Sequence, residues 1–164
     1  MTVSETQTTE DLDAVRGLIR SFVAWHRERH QDDLHLIDSY FDAGEFEAEL
    51  AGLPGSYRPL LLARCDGEPA GCVALRRLDD EVCEMKRMYV DSAFRGQKVG
   101  ITLTQTLIDE ARSRGYSRMR LDTSIRQAEA QSLYARFGFR PTQPYYTVTD
   151  ELREWLVFME LRLR

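Results

Sequence analysis

Apolar positions follow a helical period up to about Gly52, and then fall into short runs that alternate with two further helical stretches. Thr9 stands as an N-cap before acidic Glu10, Asp11 and Asp13. Leu12, Val15, Leu18, Ile19, Phe22 and Val23 then recur at intervals that predict an amphipathic helix. A second helix is predicted over about Asp33 to Leu50, with Leu34, Ile37, Phe41, Phe46 and Leu50 on its apolar face and Gly52, Pro54 and Gly55 ending it. The runs Leu60 to Cys65 and Ala70 to Leu75 flank Asp66-Gly67, the strongest short signal for a hairpin. After the turn Asp79-Asp80, Val82 to Val90 reads as a long strand that carries charge on at least one face. A glycine-containing turn then leads to a helix over about Val99 to Arg114, closed by Gly115. Met119 to Thr123 is a further strand, Gln127 to Phe137 a helix ended by Gly138, and Trp155 to Leu163 a last strand.

Length and charge narrow the partners. The 164 residues suit one domain, 1–164, the composition of 43% hydrophobic and 30% charged residues is that of an ordinary soluble globular protein, and the predicted strands and helices make it an α/β chain. A net charge of -5 argues against nucleic acid or an anionic membrane as partner. Met1 to Asp13 is polar and acidic, unlike a signal peptide, and no apolar run reaches the roughly 20 residues of a membrane span, so a cytoplasmic location is expected. Cys65, Cys72 and Cys83 are odd in number and lack paired short spacing, so no metal or disulfide framework is expected and they read as small buried residues. A catalytic thiol would need a histidine partner, and His26, His30 and His35 all fall in the polar N-terminal region, where they are expected to be solvated.

The chemistry gathers after the long strand. A strand running through a glycine turn into a helix aims unpaired backbone N–H groups at whatever lies above the strand end, a natural seat for phosphate. Gly96 and Gly100 allow close backbone approach, and Arg95 and Lys98 add positive charge; alternatively the glycines merely turn the chain and pack the helix. The run Val90-Asp91-Ser92-Ala93-Phe94-Arg95-Gly96-Gln97-Lys98-Val99-Gly100 resembles the acetyl-CoA-binding motif of the GCN5-related N-acetyltransferase superfamily, Arg/Gln-x-x-Gly/Ala-x-Gly/Ala. Arg95 and Gly100 match it, and Lys98 stands where the motif has its middle small residue. Downstream, Leu133-Tyr134-Ala135-Arg136-Phe137-Gly138-Phe139 is similar to the family's Tyr-x-x-x-Gly-Phe segment, with Ala130 at the preceding small position and Gln127 where the family often has Asn. The absence of Gly-x-Gly-x-x-Gly and the preceding antiparallel strands disfavour a dinucleotide-binding fold.

The resemblance implies a mixed, mostly antiparallel sheet with splayed central strands and helices on both faces. It implies transfer of an acetyl group from acetyl-CoA to a primary amine, without a metal; a sensor or interaction module that binds acetyl-CoA without turnover is the alternative. The backbone at Met88 would receive the thioester oxygen, Tyr89 and Val90 would pair with the pantetheine arm, and Arg95, Gly96, Gln97, Lys98, Val99, Gly100 and Ile101 would take the diphosphate, with Gln127, Ala130 and Tyr134 closing the site. Tyr134 matches the family's general acid, and Glu84 lies where several members place a base, although an ion pair with a neighbouring basic residue is an equal reading. Lys86 and Arg87 are surface charges or hold an anionic substrate group. Tyr40, Tyr57, Tyr145 and Tyr146 are candidates for the acceptor pocket, and the final strand for a homodimer contact.

Overall fold

The structure, a computed structural model, describes residues 1–164. Thr2–Glu5 forms strand β1, and Thr8 rather than Thr9 then caps helix α1 (Thr9–Arg29): its hydroxyl accepts from the Asp11 N–H, and the Asp11 carboxylate accepts from the Thr8 N–H. The helix expected over Asp33 to Leu50 is two helices, α2 (Leu34–Tyr40) and α3 (Ala43–Ala51). Asp42 is the reason: its side chain accepts from the Glu45 N–H and starts a new helix there, while Phe41 leaves helical backbone angles and buries its ring.

Strands β2 (Tyr57–Cys65) and β3 (Glu68–Arg77) form the expected hairpin, turned by Asp66 and Gly67 at φ of 50° and 84°. They are followed by β4 (Val82–Val90), helix α4 (Val99–Ser113), β5 (Arg118–Ser124), helix α5 (Ala128–Arg136), a two-residue β6 (Arg140–Pro141), helix α6 (Asp150–Trp155) and β7 (Leu156–Arg162). Trp155, expected to open the last strand, instead ends α6, a helix that Thr149 caps. The seven strands make one mixed sheet in the order β1-β2-β3-β4-β5-β7-β6, with β4 and β5 as its only parallel pair.

Side chains alternate cleanly across the sheet. Leu61, Ala63, Val73 and Leu75 pack with Leu103, Leu107 and Ala111 of α4 on one face, whereas Leu60, Leu62, Cys72 and Ala74 pack with Val15, Ile19 and Phe22 of α1 on the other. All three cysteines are buried, as expected, and burial pushes the thiols of Cys72 and Cys83 up to about 12, so neither is a nucleophile near neutral pH.

One irregularity positions the site. Tyr89 faces Cys72 across the β3–β4 ladder and Lys86 faces Ala74, so β4 holds one residue too many, and Arg87 sits there at φ 55°. The extra residue switches the phase of the strand: Cys83 and Met85 point to the α4 face before it, Met88 and Val90 after it. Beyond the bulge the strands part. Pairing between β4 and β5 ends at Glu84 and Arg120, although β4 continues to Val90 and β5 to Ser124. The sheet therefore opens into a wedge at its centre.

Candidate active site

Two cavities occupy this wedge and share one wall. The outer one, about 540 Å³, lies between the end of β4, the start of α4 and helix α5. Among the residues expected to bind a cofactor, Met88, Tyr89, Val90, Arg95, Gly96, Lys98, Val99, Gly100, Ile101, Gln127, Ala130 and Tyr134 all line it; Gln97 does not, its side chain turning back toward the Ala93 carbonyl. Its floor is the N-terminus of a 15-residue helix. Lys98 adopts the left-handed conformation (φ 65°) and gives no side-chain cap, so the first N–H groups of α4 face the cavity rather than a residue of the chain.

These features fit a nucleotide-bearing thiol ester such as acetyl-CoA. A cavity of this size suits a ligand with a long arm. A Cβ on Gly100 would meet Leu133 at 3.5 Å and Val90 at 3.6 Å, ordinary contact distances, whereas Gly96 stands at φ 81°, where other residues are strained. Arg95, Lys98 and Arg136 supply cations along the rim. Arg95 is held in place by its Nε contact to the Val90 carbonyl at 3.4 Å and by stacking over the Trp25 ring at 4.7 Å.

The inner cavity is smaller, about 50 Å³, and is enclosed by side chains from α1, α2, β4, β5, α5, α6 and β7. Phe22, Met88, Gln127 and Tyr134 belong to both cavities and mark where they join. Gln127 fixes that junction: its Oε1 accepts from Thr123 Oγ1 at 3.0 Å and from the Ser124 N–H at 3.2 Å, tying the start of α5 to the end of β5. Tyr134 is buried, and burial, reinforced by the nearby Asp122 charge, raises its hydroxyl above the ordinary phenol value, so it stays protonated and able to donate.

The polar heart of the inner cavity is Asp122, which the sequence reading did not select. Tyr40 Oη donates to its Oδ1 at 2.5 Å and Tyr146 Oη to its Oδ2 at 2.5 Å. Burial and the Asp122 charge raise both phenols above their ordinary value, so both remain donors. Lys86 Nζ in turn donates to Tyr40 Oη at 3.2 Å. No local motif marks Asp122; it follows Leu121 on an ordinary strand, and its partners come from residues 40 and 146.

The other expected positions divide plainly. Glu84 lines neither cavity: it is fully buried, receives Arg76 Nη2 at 2.5 Å and is hydrogen-bonded by the Tyr145 hydroxyl. The ion-pair reading of Glu84 matches this geometry, and direct contact with a substrate does not. Tyr40 enters the inner cavity, whereas Tyr57 lies apart and donates to Glu49 at 2.8 Å. Arg87 is likewise consumed by Glu49, in a two-pronged bond of 2.8 and 2.9 Å. His26, expected to be solvated, is only 1% exposed and lines the inner cavity, because α1 packs its C-terminal turns against Trp155.

The family profile described as Acetyltransferase (GNAT) matches residues 15–139. The chain belongs to this family. An uncharacterised N-acetyltransferase of Schizosaccharomyces pombe is 41% identical over 104 residues, covering 60% of this chain; the match spans 64% of that relative's length. A PaiA N-acetyltransferase of Thermoplasma acidophilum, solved in complex with coenzyme A, superposes with a TM-score of 0.69 at 18% identity over 99% of both chains. A GNAT family acetyltransferase of Elizabethkingia anophelis with acetyl-CoA bound gives 0.58 at 23% identity, over 73% of this chain and 82% of its own. Identities this low speak to the fold alone.

Proposed function

We propose that this GNAT protein transfers an acetyl group from acetyl-CoA to the primary amine of a small molecule. The observation that carries the reading is the common wall of the two cavities: Met88 and Tyr134 stand where a ligand arm in the outer cavity would meet an acceptor in the inner one. The two GNAT structures that hold coenzyme A or acetyl-CoA support the choice of cosubstrate.

Bound acetyl-CoA supplies an activated acetyl group and a thiol leaving group; the chain does the rest. An alkylamine with a pKa near 10.4 is only about one part in a few thousand neutral at pH 7, so a proton must be removed from its nitrogen. Asp122 is the carboxylate that faces the inner cavity, and in this reading its Oδ2 takes that proton after the more exposed Tyr146 moves aside. The Met88 N–H is the donor for the carbonyl oxygen, and Tyr134 Oη, kept protonated by its surroundings, delivers a proton to the departing sulfur. Glu84 acts at one remove, by holding Arg76 and Tyr145 in place beside Tyr146.

Calorimetric titration with acetyl-CoA, with NADH as comparator, tests the cosubstrate, and thiol release across a panel of primary amines tests transfer. Micromolar binding of acetyl-CoA alone, followed by amine-dependent thiol release, is the expected result; binding without release from any amine would reduce the protein to an acetyl-CoA-binding module. Tyr134→Phe should lower turnover about tenfold or more while leaving acetyl-CoA affinity within twofold, and unchanged turnover would make Tyr134 a packing residue.

A further inference from the structure

The inner cavity carries one charge of each sign that the protein leaves without an ionic partner. Asp122 has two phenols on its oxygens and no cation within 4 Å, whereas Glu84 is paired with Arg76 and Glu49 with Arg87. Lys86 has no carboxylate within salt-bridge distance; Nζ meets only the Tyr40 hydroxyl and, at 5.5 Å, the face of its ring. Tyr40 Oη, 3.2 Å from Lys86 Nζ and 2.5 Å from Asp122 Oδ1, is the single atom between the two charges.

From this we infer that the acceptor is a small zwitterion of the α-amino acid type, its ammonium seated on Asp122 and its carboxylate on Lys86. The inference rests on the acetyltransferase reading of the same site and names the acceptor class. An α-amino acid separates its ammonium and carboxylate by one carbon, as the cavity separates its carboxylate and ammonium by one hydroxyl. A cavity of about 50 Å³ takes such a head group and little more, so the remainder of the acceptor would leave past Tyr146, which is 37% exposed.

Charge matching favours this class over its neighbours. A plain alkylamine would cover Asp122 and shut Lys86 away from water without a partner, and a dicarboxylic acid lacking an amine would set like charges together at Asp122. A zwitterion satisfies both.

The test titrates the protein, saturated with free CoA, with each of the twenty proteinogenic amino acids and with the carboxamide of each. At least one free acid is expected to bind tenfold or more tightly than its carboxamide. That preference should fall to within about threefold in Lys86→Met and persist in Lys86→Arg, which keeps the charge. Carboxamides that bind as well as the acids throughout, an acid preference that survives Lys86→Met, or no binding of any acid to the CoA-saturated protein would each overturn the inference. The readout separates from that of the transferase reading: acid-selective binding without thiol release would uphold this acceptor class and defeat transfer, whereas thiol release from simple amines with no acid preference would do the reverse.

Discussion

The outer and inner cavities are built in opposite ways. The outer one is made mostly from two stretches, Met88 to Ile101 and Gln127 to Arg136, with Phe22 and Trp25 of α1 beside them, and much of its recognition capacity is backbone: a strand edge freed from β5, a helix N-terminus and two glycines. The inner one is made from side chains drawn from seven helices and strands, and its capacity is a network of phenols around one carboxylate. A cosubstrate common to a family can be met by backbone, which tolerates substitution. An acceptor that differs between members has to be met by side chains, and those can vary without disturbing the fold.

If that contrast is right, the largest effect should come from the inner network. Asp122→Asn should lower kcat/KM for the amine about 100- to 10,000-fold at pH 7, and the loss should narrow as pH rises toward the amine pKa, because the amine then arrives neutral. Kinetics from pH 6.5 to 9.5 would check this, and a loss below tenfold would remove Asp122 from proton transfer. In the outer cavity a change of side chain should matter only where it blocks backbone. Gly100→Asp places a carboxylate at the α4 N-terminus and should weaken acetyl-CoA binding roughly tenfold or more by calorimetry, whereas Gly100→Ala, whose Cβ makes ordinary contacts at 3.5 and 3.6 Å, should change it little.

Glu84→Gln sharpens the division between chemistry and support. Arg76 loses its charged partner, so unfolding should become easier by about 1.5 to 3 kcal/mol in urea titration. Turnover of the folded variant should fall less than in Asp122→Asn; an equal fall with the same pH profile would return the base to Glu84. The smallest effect concerns His26, whose pKa is lowered by burial and then by the neighbouring His30. Because the folded value lies below the unfolded value of about 6.5, the stability linked to neutral His26 is complete above about pH 6.5 and is lost as pH falls toward the folded value. Between pH 7 and 5.5 the wild type should lose about 2 to 4 °C of Tm more than His26→Leu, as scanning calorimetry would show. Asp33 and Arg126 also face this region, but Asp33 is held below its ordinary value by Arg126 and so titrates at lower pH.

Much of the fold was legible because its signals are local. Alternation in Leu60 to Cys65 and Ala70 to Leu75, the Asp-Gly turn between them and the period of α4 each depend on residues close in the chain, and each element appears within a few residues of its expected place. The errors share a cause. Asp42 competes for backbone N–H groups that a continuous helix would have used, Thr149 does the same before β7, and His26 looks polar along the chain but faces Trp155 once α6 has packed. The candidate site divides along the same line. The residues expected around a cofactor, Gln97 excepted, line the outer cavity because they are close in the chain, whereas Asp122 and its contacts with Tyr40 and Tyr146 join residues 82 and 24 positions apart.

The sequence by itself determined the order of the main strands and helices, the glycine turn ahead of α4 and the resemblance to the family, because each is written in short-range spacing that backbone geometry converts directly into structure. Only the tertiary structure decided which carboxylate faces the inner cavity. Glu84 and Asp122 are both acidic residues on central strands, and nothing in their neighbours separates them. What separates them is the point at which β4 and β5 part: Glu84 lies in the last paired position, closed in by Arg76 and Tyr145, and Asp122 lies just past it, where the wedge opens onto the inner cavity.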